Sequence, residues 1–358
     1  MVLNEINGKI VNAVIAKCER EYPGTLAMIS VHGSVLTGDT HKGSDLDLNI
    51  VVNDGECGGI SSCFLLEDSG IGYDLYCTSW DDLDALAECR TPHLSRLLDG
   101  EVLYAKDREA EQRFLSIRKK TRERLAAPFS KEDLDTAETH FSNMKDGYFR
   151  AMTAETLSDV RRGLFCVIDA AVRTVMTANK TYFKRGVKRT FEELRPLVLP
   201  ENFEAAIRSM VRELDAERLK QALTAFVGTV DRFLDRYRDT IAVPKPVPTK
   251  ELLAGTYEEM ISNWHKKVRE AAEHDDVYSA FMAVSSADYM RNEEIAAVFA
   301  METQDILSCF DPADLPGTFL RFEQSLDAYR QEYEKVGLPV NRYRDVDDFV
   351  RHYAGSGI

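Results

Sequence analysis

The chain has 358 residues and a formal net charge of −15, with 44% hydrophobic and 29% charged residues. These proportions belong to a globular protein with a sizeable core, and the length suits two or three domains. No apolar run approaches the length of a membrane-spanning helix, and the surplus of acids argues against a nucleic-acid partner, whose affinity comes largely from Lys and Arg neutralising phosphates. An acidic body attracts cationic small molecules instead. The first residues, Met1-Val2-Leu3-Asn4-Glu5, carry charge where a signal peptide needs an apolar core, so the sequence reads as cytoplasmic. The seven cysteines include no Cys-x-x-Cys pair, which speaks against a zinc site.

Residues 3–21 are predicted to be a helix, with Ile6, Ile10, Val14 and Cys18 at helical spacing and Pro23-Gly24 as its stop. Two strands joined by a glycine-rich loop follow. Leu26, Met28 and Ile29 lead into Gly33-Ser34, the loop holds Gly38 and Gly43, and the second strand is predicted from Asp45. Along it Leu46, Leu48, Ile50 and Val52 share one face, because strand side chains alternate, so Asp45 and Asp47 share the other. Two carboxylates pointing the same way repel and are costly to desolvate together, which a divalent cation would relieve. His32 and His41 flank this loop. A loop spans 53–62, a short strand 63–67, and a further strand 71–78, in which Tyr73, Leu75 and Cys77 alternate with Asp74 and Tyr76. Paired beside 45–52, that strand would bring Asp74 next to Asp45 and Asp47, a set suited to a hard cation such as Mg²⁺. Gly33 lets a ligand approach the backbone closely, and Ser34 offers a hydroxyl donor beside it.

Gly33-Ser34, ten residues, Asp45-Leu46-Asp47-Leu48 and then Asp74 in an apolar strand resemble the signature of the DNA polymerase β-like nucleotidyltransferases. The Ser44-Asp45 junction and the short interval to Asp74 are similar to the small-substrate branch, such as the aminoglycoside nucleotidyltransferases. The resemblance covers about the first third of the chain. It implies two Mg²⁺ ions held by Asp45, Asp47 and Asp74, with Asp74 nearer the acceptor and able to take its proton. It further implies a nucleoside triphosphate bound at Gly33, Ser34 and Ser44, and transfer of its nucleotidyl group to a hydroxyl with release of pyrophosphate. A small hydroxylated acceptor is the leading reading. The alternatives are a protein side chain as acceptor (AMPylation) and a non-catalytic module that binds nucleotides or a partner on the same fold.

Ser79-Trp80-Asp81-Asp82 starts a helix, and residues 91–105 read as a short helix, a turn at Asp99-Gly100 and a last strand. From Asp107 the chain is nearly all helix. Its first stretch carries Arg108, Arg113, Arg118, Arg122 and Arg124 and reads as a solvated face. Residues 130–240 read as four or five helices around two apolar stripes, Leu157 to Val175 and Leu219 to Tyr237. Between the stripes lies a basic and aromatic turn, Tyr182, Lys184, Arg185, Lys188 and Arg189, read equally as a substrate-facing turn and as a surface connection. The prolines of 241–250 mark a boundary. The fold class is therefore α+β: a small mixed sheet domain (1–125), a helical substrate-binding domain (126–240) and a second helical region (251–358). The largest cleft is expected between residues 31–76 and the 130–240 helices, with at least one of Glu138, Lys145, Glu155, Arg161 and Lys188 in it.

Overall fold

A computed structural model of the chain describes residues 5–40, 44–53, 59–242 and 244–353; His41, Gly43 and Cys57 lie outside them. The fold is α+β. It divides into two compact units, residues 1–242 and 243–358.

The first unit opens with α1 (Glu5–Glu21), which buries Val11, Val14 and Cys18. Five strands follow: β1 (Leu26–His32), β2 (Asp47–Val52), β3 (Ser62–Leu66), β4 (Ile71–Ser79) and β5 (Glu101–Ala105), in the order β3-β4-β2-β1-β5. The ladder β2–β4 is parallel and the others are antiparallel. Leu48, Ile50 and Val52 pack with Ile29, Val31, Tyr73 and Leu75 in the core under α1. Met28 and Val51 pack on the opposite face with Trp80, Leu83, Leu97 and Phe114. Covered on both faces, β2 alternates in its first half, Asp47-Leu48-Asn49-Ile50, and is apolar at its end, Val51-Val52.

The predicted strand from Asp45 begins at Asp47 instead. A strand lasts as long as its partner. Pairing with β1 ends at His32↔Asp47, and beyond His32 the chain turns into a single helical turn, α2 (Ser34–Thr37), so Asp45 and Leu46 have no ladder to join.

Ser79 caps α3 (Trp80–Ala87) in a reciprocal pair with Asp82. After α4 (Ser95–Leu98) and β5 comes α5 (Arg108–Ala126). Its arginines are not simply a solvated face. Arg118 donates to the carbonyls of Leu97 (2.8 Å) and Gly100, and Arg122 to that of Leu98 (2.8 Å). They thus satisfy the carbonyls that the end of α4 leaves without intrahelical donors.

The helical part of this unit comprises α6 (Lys131–Met152), α7 (Leu157–Ala178), α8 (Thr190–Leu194), α9 (Phe203–Arg212) and α10 (Ala216–Ile241). Its core is built from the predicted stripes, among them Val160, Leu164, Val175, Leu219, Phe226 and Phe233. Gly147 and Gly163 lie where α6 and α7 come closest, and a Cβ on Gly163 would meet the Gly147 carbonyl at 2.8 Å.

The segment between α7 and α8 is strapped to both neighbours. Tyr182 donates to Asp99 (2.7 Å), the Phe183 amide to the Pro92 carbonyl (2.9 Å), and the Phe183 ring stacks on His93. Lys180 meets Asp133 at 2.6 Å, their side chains only 13% and 11% exposed. Removing one partner of such a pair strands the other charge. Lys180→Met should therefore cost about 3 kcal/mol of stability, read by denaturant unfolding.

The second unit runs through α11 (Lys250–Leu253), α12 (Thr256–Met260), α13 (Lys266–Glu273), α14 (Val277–Tyr289), α15 (Leu315–Lys335) and α16 (Val346–Tyr353). Its core centres on Tyr257, Met260, Val284, Phe322, Tyr329 and Tyr333. The Tyr333 hydroxyl donates to the Leu253 carbonyl (2.6 Å) and accepts from the Tyr257 amide (2.8 Å). Among the described residues no helix is long and apolar enough to cross a membrane.

Candidate functional site

The end of β1 is where the site starts. Gly33 follows His32 with φ 76° and ψ −147°, a conformation open essentially to glycine alone. The reason for a glycine is also steric: a Cβ there would collide with the Asp47 carboxylate, which packs against the Gly33 backbone. The Ser34 amide donates a hydrogen bond to that carboxylate. Gly33-Ser34 and Asp47, which are 13 positions apart or more, thus form one unit.

These residues line a cleft of 390 Å³. One wall carries His32, Gly33, Ser34, Ser44, Asp45 and Asp47; the other carries Lys184, Arg185, Lys188 and Arg189 from the strap between α7 and α8. Burial raises the pKa of Asp47 first, and the neighbouring Asp45 raises it further, against the Ser34 amide, which lowers it. His32, on the strand pairing with Asp47, has its pKa lowered to about 4 by burial and by Arg96, so its ring is neutral at physiological pH.

Five of the six predicted site residues (Gly33, Ser34, Ser44, Asp45 and Asp47) line this cleft, and Asp74 is not among its lining residues. The Leu48↔Leu75 pair of the parallel ladder leaves Asp47 and Asp74 one residue before it on their strands, hence level and on the same sheet face. The Asp74 carboxylate accepts from the Cys63 thiol on the outer strand (2.9 Å) and is exposed.

Of the five charged residues singled out in the helical part, Lys188 alone lines the cleft. Glu138 pairs with Arg238 (2.6 Å), Arg161 donates to the Glu213 carbonyl (2.9 Å), Lys145 lies over the Phe141 ring, and Glu155 is exposed. Nor is this cleft the largest: two others reach 420 Å³. One lies around Trp264 and Tyr278 in the second unit, and one between Glu88 and Thr139 in the first.

The donor set suits a hard cation. Asp45 and Asp47 make no ion pair among the described residues, and oxygen donors from one or two carboxylates, completed by phosphate and water, are what Mg²⁺ takes. Among the described residues no group of three metal-capable side chains converges, so the protein offers a pair of carboxylates rather than a closed cage.

Residues 11–138 match the family model of the nucleotidyltransferase domain. The match covers about a third of the chain, in its N-terminal part. That span contains the whole sheet, Gly33-Ser34 and all three predicted acids. A solved structure, a nucleotidyltransferase-like protein from Exiguobacterium sibiricum 255-15, is similar at 11% identity and a TM-score of 0.37, over 80% of this chain and 92% of that one. No curated protein matches the chain.

The residues that sequence reading missed are Asp39, Thr37 and Ser95, which also line the cleft. Asp39 had no local signal, because its partner Arg189 is 150 positions away.

Proposed function

We propose that the cleft binds the triphosphate of a nucleoside triphosphate, and that the chain transfers its nucleotidyl group to a hydroxyl of a small acceptor. The observation that carries this reading is the facing of two walls. Paired carboxylates and a Gly-Ser turn stand on one side, and a basic strap stands on the other, within one cleft of a nucleotidyltransferase domain. The acceptor oxygen attacks the α-phosphorus, its bond to phosphorus forms as the bond to the β-phosphate oxygen breaks, and pyrophosphate leaves with that electron pair. Bound Mg²⁺ would neutralise the phosphate oxygens and polarise the reacting phosphorus. Asp45 and Asp47 are the carboxylates that would hold it.

The chain's own part is mostly positioning and charge. Ser34 donates its hydroxyl to a terminal phosphate, and the Gly33 backbone lets that phosphate come close. Asp74, exposed on the same sheet face, takes the acceptor's proton. The net charge of −15 favours a cationic acceptor over a polyanion.

Pyrophosphate release with each nucleoside triphosphate and Mg²⁺, with and without a metabolite extract, tests the reading. Release that depends on extract supports it; none under any condition refutes it. Ser34→Ala should weaken triphosphate binding by roughly 1.5–3 kcal/mol, the value of one hydrogen bond to a charged group. Calorimetric titration with a nucleoside triphosphate reads it, and unchanged affinity would remove Ser34 from the site.

A further inference from the structure

Asp39 follows α2 at the mouth of the cleft, its side chain 22% exposed. Its Oδ1 accepts from Arg189 Nε (3.1 Å) and lies 2.9 Å from Nη2, and its Oδ2 lies 3.6 Å from Arg185 Nε. Glu192 takes the remaining arms, Arg189 Nη1 at 2.7 Å and Arg185 Nη1 at 3.3 Å. The turn's backbone is fixed separately: the Lys184 and Arg185 amides donate to Glu193 at 2.9 and 2.6 Å. The guanidiniums are thus engaged by carboxylates while the peptide that carries them is held in place by another.

We infer that Asp39 is a built-in competitor for polyphosphate: in the free chain its carboxylate holds Arg185 and Arg189, and a bound triphosphate takes those guanidiniums from it. The inference rests on the reading of this cleft as a triphosphate site. Three features support the exchange. Arg189 already turns its Nε, Nη1 and Nη2 groups toward carboxylates, so a phosphate approaching the same edges competes with Asp39 and Glu192 for it. The displaced pairs are weak, because Arg185, Arg189 and Asp39 are all partly open to water, where ion pairs contribute little. Phosphate accepts from a guanidinium fork at least as well as carboxylate does and carries more charge. Asp39 therefore lowers anion affinity twice, by occupying the cations and by adding a negative charge to the mouth.

The test is calorimetric titration of the full chain with inorganic tripolyphosphate, without added metal. Wild-type chain should bind it, and Asp39→Asn should bind it roughly three- to tenfold more tightly, the scale of one exposed pair and one relieved repulsion. Arg189→Gln should bind it more weakly, and adding Asp39→Asn to Arg189→Gln should recover much less than the single variant gains. Asp135→Asn, which removes a charge paired with Lys131 outside this cleft, should change nothing; this separates local competition from a general loss of negative charge. Thermal melts establish that each variant is folded, and Asp39→Ser serves in place of a misfolded Asn variant. Unchanged or weaker binding in the Asp39 variants, an equal gain in Asp135→Asn, or no tripolyphosphate binding by any folded form would overturn the inference. The readout needs no chemistry. A chain that releases no pyrophosphate but shows the Asp39 gain refutes transfer and keeps the competition; turnover without the gain does the reverse.

Discussion

Asp47→Asn should reduce nucleotidyl transfer by at least about a hundredfold, the scale on which a preorganised electrostatic group acts, and should leave the fold as stable as before or more so. The two effects have one cause. Asp47 sits partly buried beside Asp45, and both burial and that neighbour disfavour its charged form. The site thus stores a repulsion that a bound cation would relieve. The pH dependence follows from the direction of the shift. Between the ordinary aspartate value of 3.8 and the raised value in the fold, the folded chain holds more protons at this group than the unfolded chain. Stability therefore falls as pH rises through that window, and the full cost is present above it. The Asn variant should gain most at neutral pH, and its gain should vanish as pH falls below 3.8. Pyrophosphate release and denaturant melts at neutral and acid pH check both halves. A variant that loses activity together with stability at neutral pH would mean that Asp47 is structural. Asp45→Asn should likewise lose activity without losing stability, because it is the second source of the same repulsion.

Gly33→Ala should abolish triphosphate binding while costing the fold about 1–3 kcal/mol, the strain of a non-glycine residue in this backbone region. The loss of function should exceed the loss of stability for a geometric reason. The added methyl collides with the tip of the Asp47 side chain, which can swing aside at little cost to the core. Swinging aside breaks its hydrogen bond from the Ser34 amide and carries the carboxylate away from Asp45. One methyl thus disturbs the Gly33-Ser34 turn and the carboxylate pair together. Titration with a nucleoside triphosphate measures the first effect and unfolding measures the second. Normal nucleotide affinity in a folded Ala variant would show that the close packing of Gly33 on Asp47 is incidental. Combining Gly33→Ala with Asp47→Gly, which removes the colliding side chain, should restore part of the stability and none of the activity.

The sequence by itself determined what depends on neighbours along the chain. Alternation placed Leu46, Leu48, Ile50 and Val52 in one core, because successive side chains in an extended chain must point opposite ways. The stop at Pro23-Gly24, the Ser79 cap and the turn at Asp99-Gly100 were equally legible, since caps and turns are made by residues a few positions apart. Gly33, Ser34, Asp45 and Asp47, which their spacing singled out, line one cleft because the loop after β1 brings the chain back beside itself as β2. The tertiary structure decided whatever depends on distant partners. It ended β1 at His32 and so moved the start of β2 past Asp45. It turned Arg118 and Arg122 from a solvated face into ties on the end of α4. It placed Lys184, Arg185, Lys188 and Arg189 of the basic turn along a cleft, a position that pattern alone leaves open. That turn became a wall of the cleft through Tyr182 on Asp99 and Arg189 on Asp39. Each of these rests on a hydrogen bond or ion pair between residues about 15 to 150 positions apart, whose directions exist only once strands have paired and helices have packed, and no local periodicity encodes them.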